Sequence, residues 1–207
     1  MSSSKRVFLH YNDLPDNVEL KGDIAVDTEA MGLQIHRDRL CLVQICDSEK
    51  NVHLVAFENG NNYLATNLKS CFEDKSRQKI FHYARFDVAI IKHYLGVNVS
   101  NIFCTKIASK LVRTYTDYHG LRSIVNELLG VDLRKDQQCT YWGAQQITEA
   151  QKHYAANDVI YLHAIRSKLQ VMLKREGRVD IAQSYFDFLD TIVDIDLQGF
   201  RGDIFSH

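Results

Sequence analysis

The 207-residue sequence predicts an α/β fold: a mixed β-sheet flanked by helices, with a helical C-terminal part. Three observations predict it. Short apolar and β-branched runs, each bounded by polar breakers, crowd the first half, as strands entering a buried sheet do. After them, strand-like runs alternate with segments whose apolar residues recur at helical spacing, which is the pattern of layered α/β proteins. Finally, hydrophobic residues make up 45% of the chain and its one proline is Pro15, so nothing marks a linker, and residues 1–207 read as one domain with a core of its own.

The elements follow in order. Strands are expected at 5–9, 22–29, 38–46 and 51–56, then a helix near 61–72 and a strand at 79–83. Phe86-Asp87-Val88-Ala89-Ile90-Ile91 opens a helix closed by Gly96, since glycine readily takes the left-handed conformation that ends helices. A short strand at 101–104 comes next, and beyond it the pattern is mostly helical. Leu121, Ile124, Val125 and Leu128 lie on one helical face, with Gly130 closing that helix. A long amphipathic helix is expected from Thr148 to about Arg175, with Thr148 and Gln151 as a capping box, and a shorter one at about 178–192. The end of the chain reads as irregular, and 178–207 as a C-terminal helix and tail available for oligomer contacts.

Charge and cysteines narrow the function. The net charge is −1, so contact with nucleic acid has to come from a local patch or through metal ions. No apolar run is long enough to span a bilayer, and the N-terminus has no signal-peptide core. Five cysteines at irregular spacing suit thiols in a reducing compartment, and a cytoplasmic protein is expected.

The chemistry starts at Asp27-Thr28-Glu29. On a strand, side chains alternate, so Asp27 and Glu29 point the same way. Two close carboxylates repel unless a cation separates them, and hard oxygen donors suit Mg²⁺ or Mn²⁺. Alone the pair would equally suit a solvated strand end. Asp87 at the opening of a helix suits the helix dipole as well as a metal. Asp158 lies four residues after Tyr154 on a shared helix face, among Ala155, Ala156, Val159 and Ile160, where an acid needs a partner.

Taken together, Asp27-Thr28-Glu29, Phe86-Asp87 and Tyr154 with Asp158 resemble the three motifs of the DEDD superfamily of 3′–5′ exonucleases, over about residues 20–170. His153 offers the alternative His-x-x-x-x-Asp form of the third motif. At about 100° per residue, Tyr154 lies roughly 40° from Asp158 and His153 roughly 140° away, which favours the Tyr branch. Within that branch the chain resembles ribonuclease D, and its shortness and the ending Gly199-Phe200-Arg201-Gly202-Asp203-Ile204-Phe205-Ser206-His207 resemble the nano-RNase C group. Two departures stand out: Tyr83 where many relatives have Asn, and Cys104 where many have Asp.

The resemblance implies a ribonuclease H-like fold and a catalytic set of Asp27, Glu29, Asp87, Tyr154 and Asp158, the four acids holding two Mg²⁺ or Mn²⁺ ions. It implies a 3′–5′ exoribonuclease acting on short RNA, dinucleotides above all, and a ring-shaped homo-octamer. A general exonuclease on longer RNA or DNA, and a non-catalytic nucleic-acid-binding scaffold, remain open at this point. Ala30, Met31, Gly32 and Leu33 are expected to hold the 3′ nucleotide, Gly32 by allowing close backbone approach and Leu33 as a wedge between bases or as core. His82 and Phe86 join them. Arg113 and Tyr115, in a stretch that also holds Tyr118, His119 and Arg122, suit contact with phosphate and base, though the stretch suits a polar loop between helices at least as well. Arg134 and Lys135 are further phosphate candidates, and Arg201 and His207 candidates for reaching a neighbouring subunit's site.

Overall fold

The structure, a computed structural model, describes residues 6–133, 141–144 and 146–200. Arg134, Lys135, Cys139, Arg201 and His207 lie outside the described residues. Six strands form one mixed sheet in the order β1-β4-β3-β2-β5-β6, with β1 Arg6–Tyr11, β2 Ile24–Ala30, β3 Leu40–Cys46, β4 Asn51–Ala56, β5 Lys79–Phe81 and β6 Ile102–Cys104. β3 runs antiparallel to β2 and β4, while β1 is parallel to β4, β5 to β2 and β6 to β5.

Burial explains the order. Every residue of β3 is buried, which is why Leu40-Cys41-Leu42-Val43 reads as a continuous apolar run instead of an alternating one. β2 begins Ile24-Ala25-Val26 at 0% exposure, and beyond them Asp27, Glu29 and Ala30 are partly exposed while Thr28 stays buried. β1 is an edge strand and is largely exposed. Because β2, β5 and β6 are parallel, their C-terminal ends share one edge of the sheet. Helix α2 (Ala84–Leu95) leaves β5 there and α3 (Thr105–Val112) leaves β6 there. In such sheets the crevice at the carboxyl ends of the strands is where ligands bind.

The remaining helices are α1 (Thr66–Glu73), α4 (Leu121–Leu129), α5 (Glu149–Ile160), α6 (Leu162–Arg175) and α7 (Val179–Leu197). α2 and α4 end on Gly96 and Gly130, both at φ 69°, as the sequence led us to expect. Three differences from the sequence reading have physical causes. The long helix from Thr148 to Arg175 is two helices, because the chain turns at Tyr161 as it passes from packing on β2, β3 and β4 (α5) to packing on α3 and α4 (α6). The apolar period runs on through the turn, since Ala155, Ala156 and Val159 before it and Leu162, Ile165 and Leu169 after it are all buried, so the sequence shows no break. α3 had no separate place in the reading. α7 runs to Leu197 and not to about 192, held onto α2 by Lys92 with Asp190 (3.0 Å) and Asp194 (2.6 Å) and by Arg85 with Asp196 (2.6 Å). Among the described residues no helix is long and apolar enough to cross a membrane, and no disulfide links Cys41, Cys46, Cys71 and Cys104.

The N-terminus of α5 is fixed by the expected capping box: Gln151 N–H donates to Thr148 Oγ1 at 3.2 Å and Thr148 N–H donates back to Gln151 Oε1 at 2.9 Å. Thr148→Ala removes the first of these bonds. It should cost about 1 kcal/mol, or about 2–4 °C in Tm, read by thermal and urea denaturation. An unchanged midpoint would show that the cap does not hold this helix.

Candidate functional site

The site is assembled where β2 meets α5. One carboxylate oxygen from each of Asp27, Glu29 and Asp158 lies within 4.8 Å of the others. β2 supplies the first two from one face, and its register with β3 shifts between Glu29 and Ala30, beyond the acids. α5 can lie close to the sheet because Ala155 and Ala156, fully buried, are small. That approach brings Asp158 over Asp27. Tyr154 follows one turn earlier on the same side and hydrogen-bonds Asp158, while His153 is exposed and pairs with Asn157 at 3.2 Å. Helix geometry thus separates the two candidates as the sequence reading expected.

Asp87 sits in the first turn of α2, buried at 4% exposure, just outside that trio. Thr28 Oγ1 donates to its Oδ1 at 2.7 Å, which ties α2 to β2. Its charge still reaches the cluster. Burial first, then the charges of Asp87, Asp158 and Glu29, drives Asp27 well above the ordinary carboxylate range. Burial and the charges of Asp158 and Asp87 push Glu29 up to about 8. Burial lifts Asp87 to about 7 against the hydrogen bonds from Thr28, which favour its charged form. Burial and the surrounding carboxylates raise Tyr154, so its hydroxyl keeps its proton. Such a set of hard oxygen donors, each disfavoured as an anion by its neighbours, fits divalent cations such as Mg²⁺ or Mn²⁺.

Two recesses open on the acids. One, of about 970 Å³, is lined by Asp27, Glu29 and Asp87 and by the segment from Ala30 to Leu33. The other, of about 410 Å³, is lined by Asp27, Glu29, Tyr154 and Asp158 together with Arg122. His82 borders both. Thr105 Oγ1 donates to the Phe81 carbonyl at 3.0 Å, so at 2.9 Å from His82 Nδ1 it accepts, and Nδ1 carries the imidazole proton. Burial, helped by the Lys106 charge, lowers His82 to about 3, so the ring is neutral with Nε2 an acceptor.

The expected ligand-contacting residues divide. Ala30, Met31, Gly32, Leu33, His82 and Phe86 all line the larger recess. Leu33 is 83% exposed, which removes its reading as core. Gly32 has a steric reason of its own beside its place on the recess. A Cβ there would come within 2.3 Å of Asp38 Oδ2, and Asp38 is pinned by Gln34 N–H (2.9 Å) and Arg37 Nε (2.7 Å), so the glycine makes room for the Asp38 carboxylate. Arg113 and Tyr115 line neither recess. Arg113 is fully buried, donating to Glu127, Ser109 Oγ and the Tyr118 carbonyl, and the Tyr115 hydroxyl also donates to Glu127. Arg113 is thus corrected from a substrate contact to a structural tie, Tyr115 stands 67% exposed away from both recesses, and Arg122 of the same stretch lines the smaller recess.

Sequence reasoning missed four residues here. Gln44, fully buried on β3 opposite Asp27, donates from Nε2 to Asp27 Oδ2 at 3.4 Å, and its signal was an amide within an apolar strand. Trp142, Arg85 and Asp196 line the larger recess. The chain's single tryptophan could have been singled out, whereas the Arg85–Asp196 pair spans 111 positions and leaves no local trace.

Comparison with known proteins agrees with this geometry. The family model described as 3′–5′ exonuclease matches residues 10–174. Brucella melitensis NrnC bound to pGG shares 45% identity at a TM-score of 0.92, covering 99% of this chain and 100% of that one. The same protein with bound Mg²⁺ gives 44% identity and a TM-score of 0.90, covering 98% of this chain and 99% of that one. Ribonuclease D of Gluconacetobacter diazotrophicus is 31% identical over 157 residues, 76% of this chain but 39% of that protein. The chain thus spans about two fifths of the curated ribonuclease D relatives it matches.

Glu29 and Asp87 hold their protons more tightly folded than unfolded. Each therefore stabilises the metal-free fold fully below its unfolded pKa, and that stability is lost as pH rises through about 7 for Asp87 and about 8 for Glu29. In chelator, Tm should fall from pH 6.5 to 9, and Glu29→Gln should flatten the fall. Mg²⁺ should raise Tm more at pH 9 than at 6.5. Equal shifts at both would contradict the assignment of the cluster as a cation site.

Proposed function

Because the chain belongs to the 3′–5′ exonuclease family, we propose that it hydrolyses very short oligoribonucleotides, dinucleotides above all, from the 3′ end to nucleoside 5′-monophosphates. The observation that carries this is the convergence of Asp27, Glu29 and Asp158 from β2 and α5, beside Asp87, at the foot of a recess with an apolar lip. Support for a short substrate comes from the near-complete coverage of NrnC, a protein seen with pGG bound, and from a net charge of −1, since a dinucleotide offers little backbone for a broad basic surface to grip. Residues 1–207 would act as one exonuclease domain in a reducing, cytoplasmic setting, assembling as a ring-shaped homo-octamer.

In this reading Asp27, Glu29, Asp87 and Asp158 hold two Mg²⁺ or Mn²⁺ ions. Bound cations would supply the charge that lowers the pKa of an attacking water and offsets the charge growing on phosphorus. Gln44 steadies Asp27, and the Thr28 hydroxyl steadies Asp87. Tyr154 keeps its proton, so it orients the water by hydrogen bonding and leaves proton removal to other groups. Leu33, exposed and apolar at the lip, serves as the wedge between the two bases of the substrate, and Met31 and Phe86 give their apolar surface to the same nucleotides.

The test is cleavage of a 5′-labelled RNA ladder of two to ten residues with Mg²⁺, with Mn²⁺ and with chelator. Fastest turnover of the dinucleotide, lost in chelator, is expected; faster turnover of the longer members would favour the general ribonuclease D-like reading. Asp27→Ala and Asp158→Ala should abolish hydrolysis while leaving the circular dichroism spectrum unchanged, and wild-type rates in either would refute the site. Leu33→Ala should flatten the length preference by about an order of magnitude, the scale of one lost base contact. If the ladder profile is unaltered, Leu33 is not a wedge.

A further inference from the structure

Tyr83 joins β5 to α2 at φ 69° and ψ 52°, the left-handed region, which is uncommon for a bulky aromatic residue. Neither capping nor packing explains it. Its side chain makes no capping hydrogen bond to α2, and it is 50% exposed. Asparagine or glycine would adopt this backbone with less strain. What tyrosine adds is a ring at the wall of the recess that holds Asp27, Glu29 and Asp87 and has Leu33 on its lip. One face of that ring is occupied, with Lys106 Nζ 3.9 Å from its centroid. A cation over one face fixes the tilt of the ring and places positive charge beside any anion bound there. The residue is half exposed, on the wall of that recess.

We propose that the Tyr83 ring is a nucleobase-binding subsite, a platform on which one base of the bound dinucleotide stacks, with Lys106 as its support. The inference rests on the proposed function and adds to it the residue that recognises a base. An aromatic face stacks on any base, so the subsite would grip without reading sequence. The backbone strain fits such a role, because strain of this kind is found where the surrounding structure holds a residue in place for a ligand.

The substitution Tyr83→Asn separates stacking from folding, since asparagine suits the left-handed backbone. This variant should melt at or above the wild-type temperature. Its KM for an RNA dinucleotide should rise about tenfold, the size of one lost base–aromatic stack, with the loss in kcat/KM carried by KM. Tyr83→Phe should restore the wild-type KM. Two dinucleotides, each lacking one base, identify the partner: on the one without the stacked base, wild type and Tyr83→Asn should have equal KM. Equal KM on the intact dinucleotide, or a tenfold difference that persists on both abasic substrates, overturns the inference. A wild-type chain that cleaves no dinucleotide overturns the proposed function, and this inference with it.

Discussion

The constraint on which the structure depends is the repulsion among carboxylates gathered in one desolvated place. Burial and the neighbouring carboxylates raise the pKa of Asp27, Glu29 and Asp87 beside Asp158, so the cluster needs a rigid frame to hold it together. The frame is visible at each attachment. β3, buried along its whole length, locks β2 into the sheet interior. Ala155 and Ala156 let α5 sit down on that sheet, and the Thr148 box fixes where α5 begins. The Thr28–Asp87 bond joins the second motif to the first. Apolar burial thus opposes local electrostatic repulsion, and a bound divalent cation would relieve it.

The cations near the acids do not cancel that charge. Arg122 is paired with Asp132 at 3.0 Å and Arg85 with Asp196 at 2.6 Å. Each brings its own counter-ion, so a phosphodiester approaching the metal-free recess would meet a surplus of negative charge. Affinity for an anionic substrate would then depend chiefly on cations first held by the acids, with Lys106 the lesser source of positive charge. On the proposed function, a chain with a net charge of −1 could serve as a nuclease because bound metal would build the attraction at the site, and the surface need not carry it.

Much of this was legible because it is local. Strand alternation placed Asp27 with Glu29, a rotation of about 100° per residue chose Tyr154 over His153, and the Thr148 box and Gly96 ended helices where expected. What was not legible depends on partners far along the chain. Gly32 lines the recess, but the need for a glycine there to make room for Asp38 is set by a residue six positions on whose place in the fold could not be read. Leu33 looked equally like core until its exposure was known. The turn at Tyr161 is silent because the apolar period continues across it. Tyr83 was noted as a departure from the motif, but its left-handed backbone and its cation on the ring belong to the folded chain.

Arg113 is the instructive case, where the reading as a polar loop between helices holds over the reading as substrate contact. Basic groups interleaved with aromatics, as in Arg113, Tyr115, Tyr118, His119 and Arg122, are what a nucleic-acid surface looks like in sequence. A guanidinium can equally serve as a fork that holds a loop from inside. Arg113 takes two oxygens of Glu127 on α4, the Ser109 hydroxyl on α3 and the carbonyl of Tyr118 between them, while Ser109 also meets His119 Nδ1 at 2.9 Å. That clamp fixes the connection from α3 to α4, and this connection delivers Gly120, Leu121 and Arg122 to the wall of the recess. The buried arginine therefore bears on the acids through geometry alone: it spends its donors on the loop, so that a different arginine, nine positions on, faces the site.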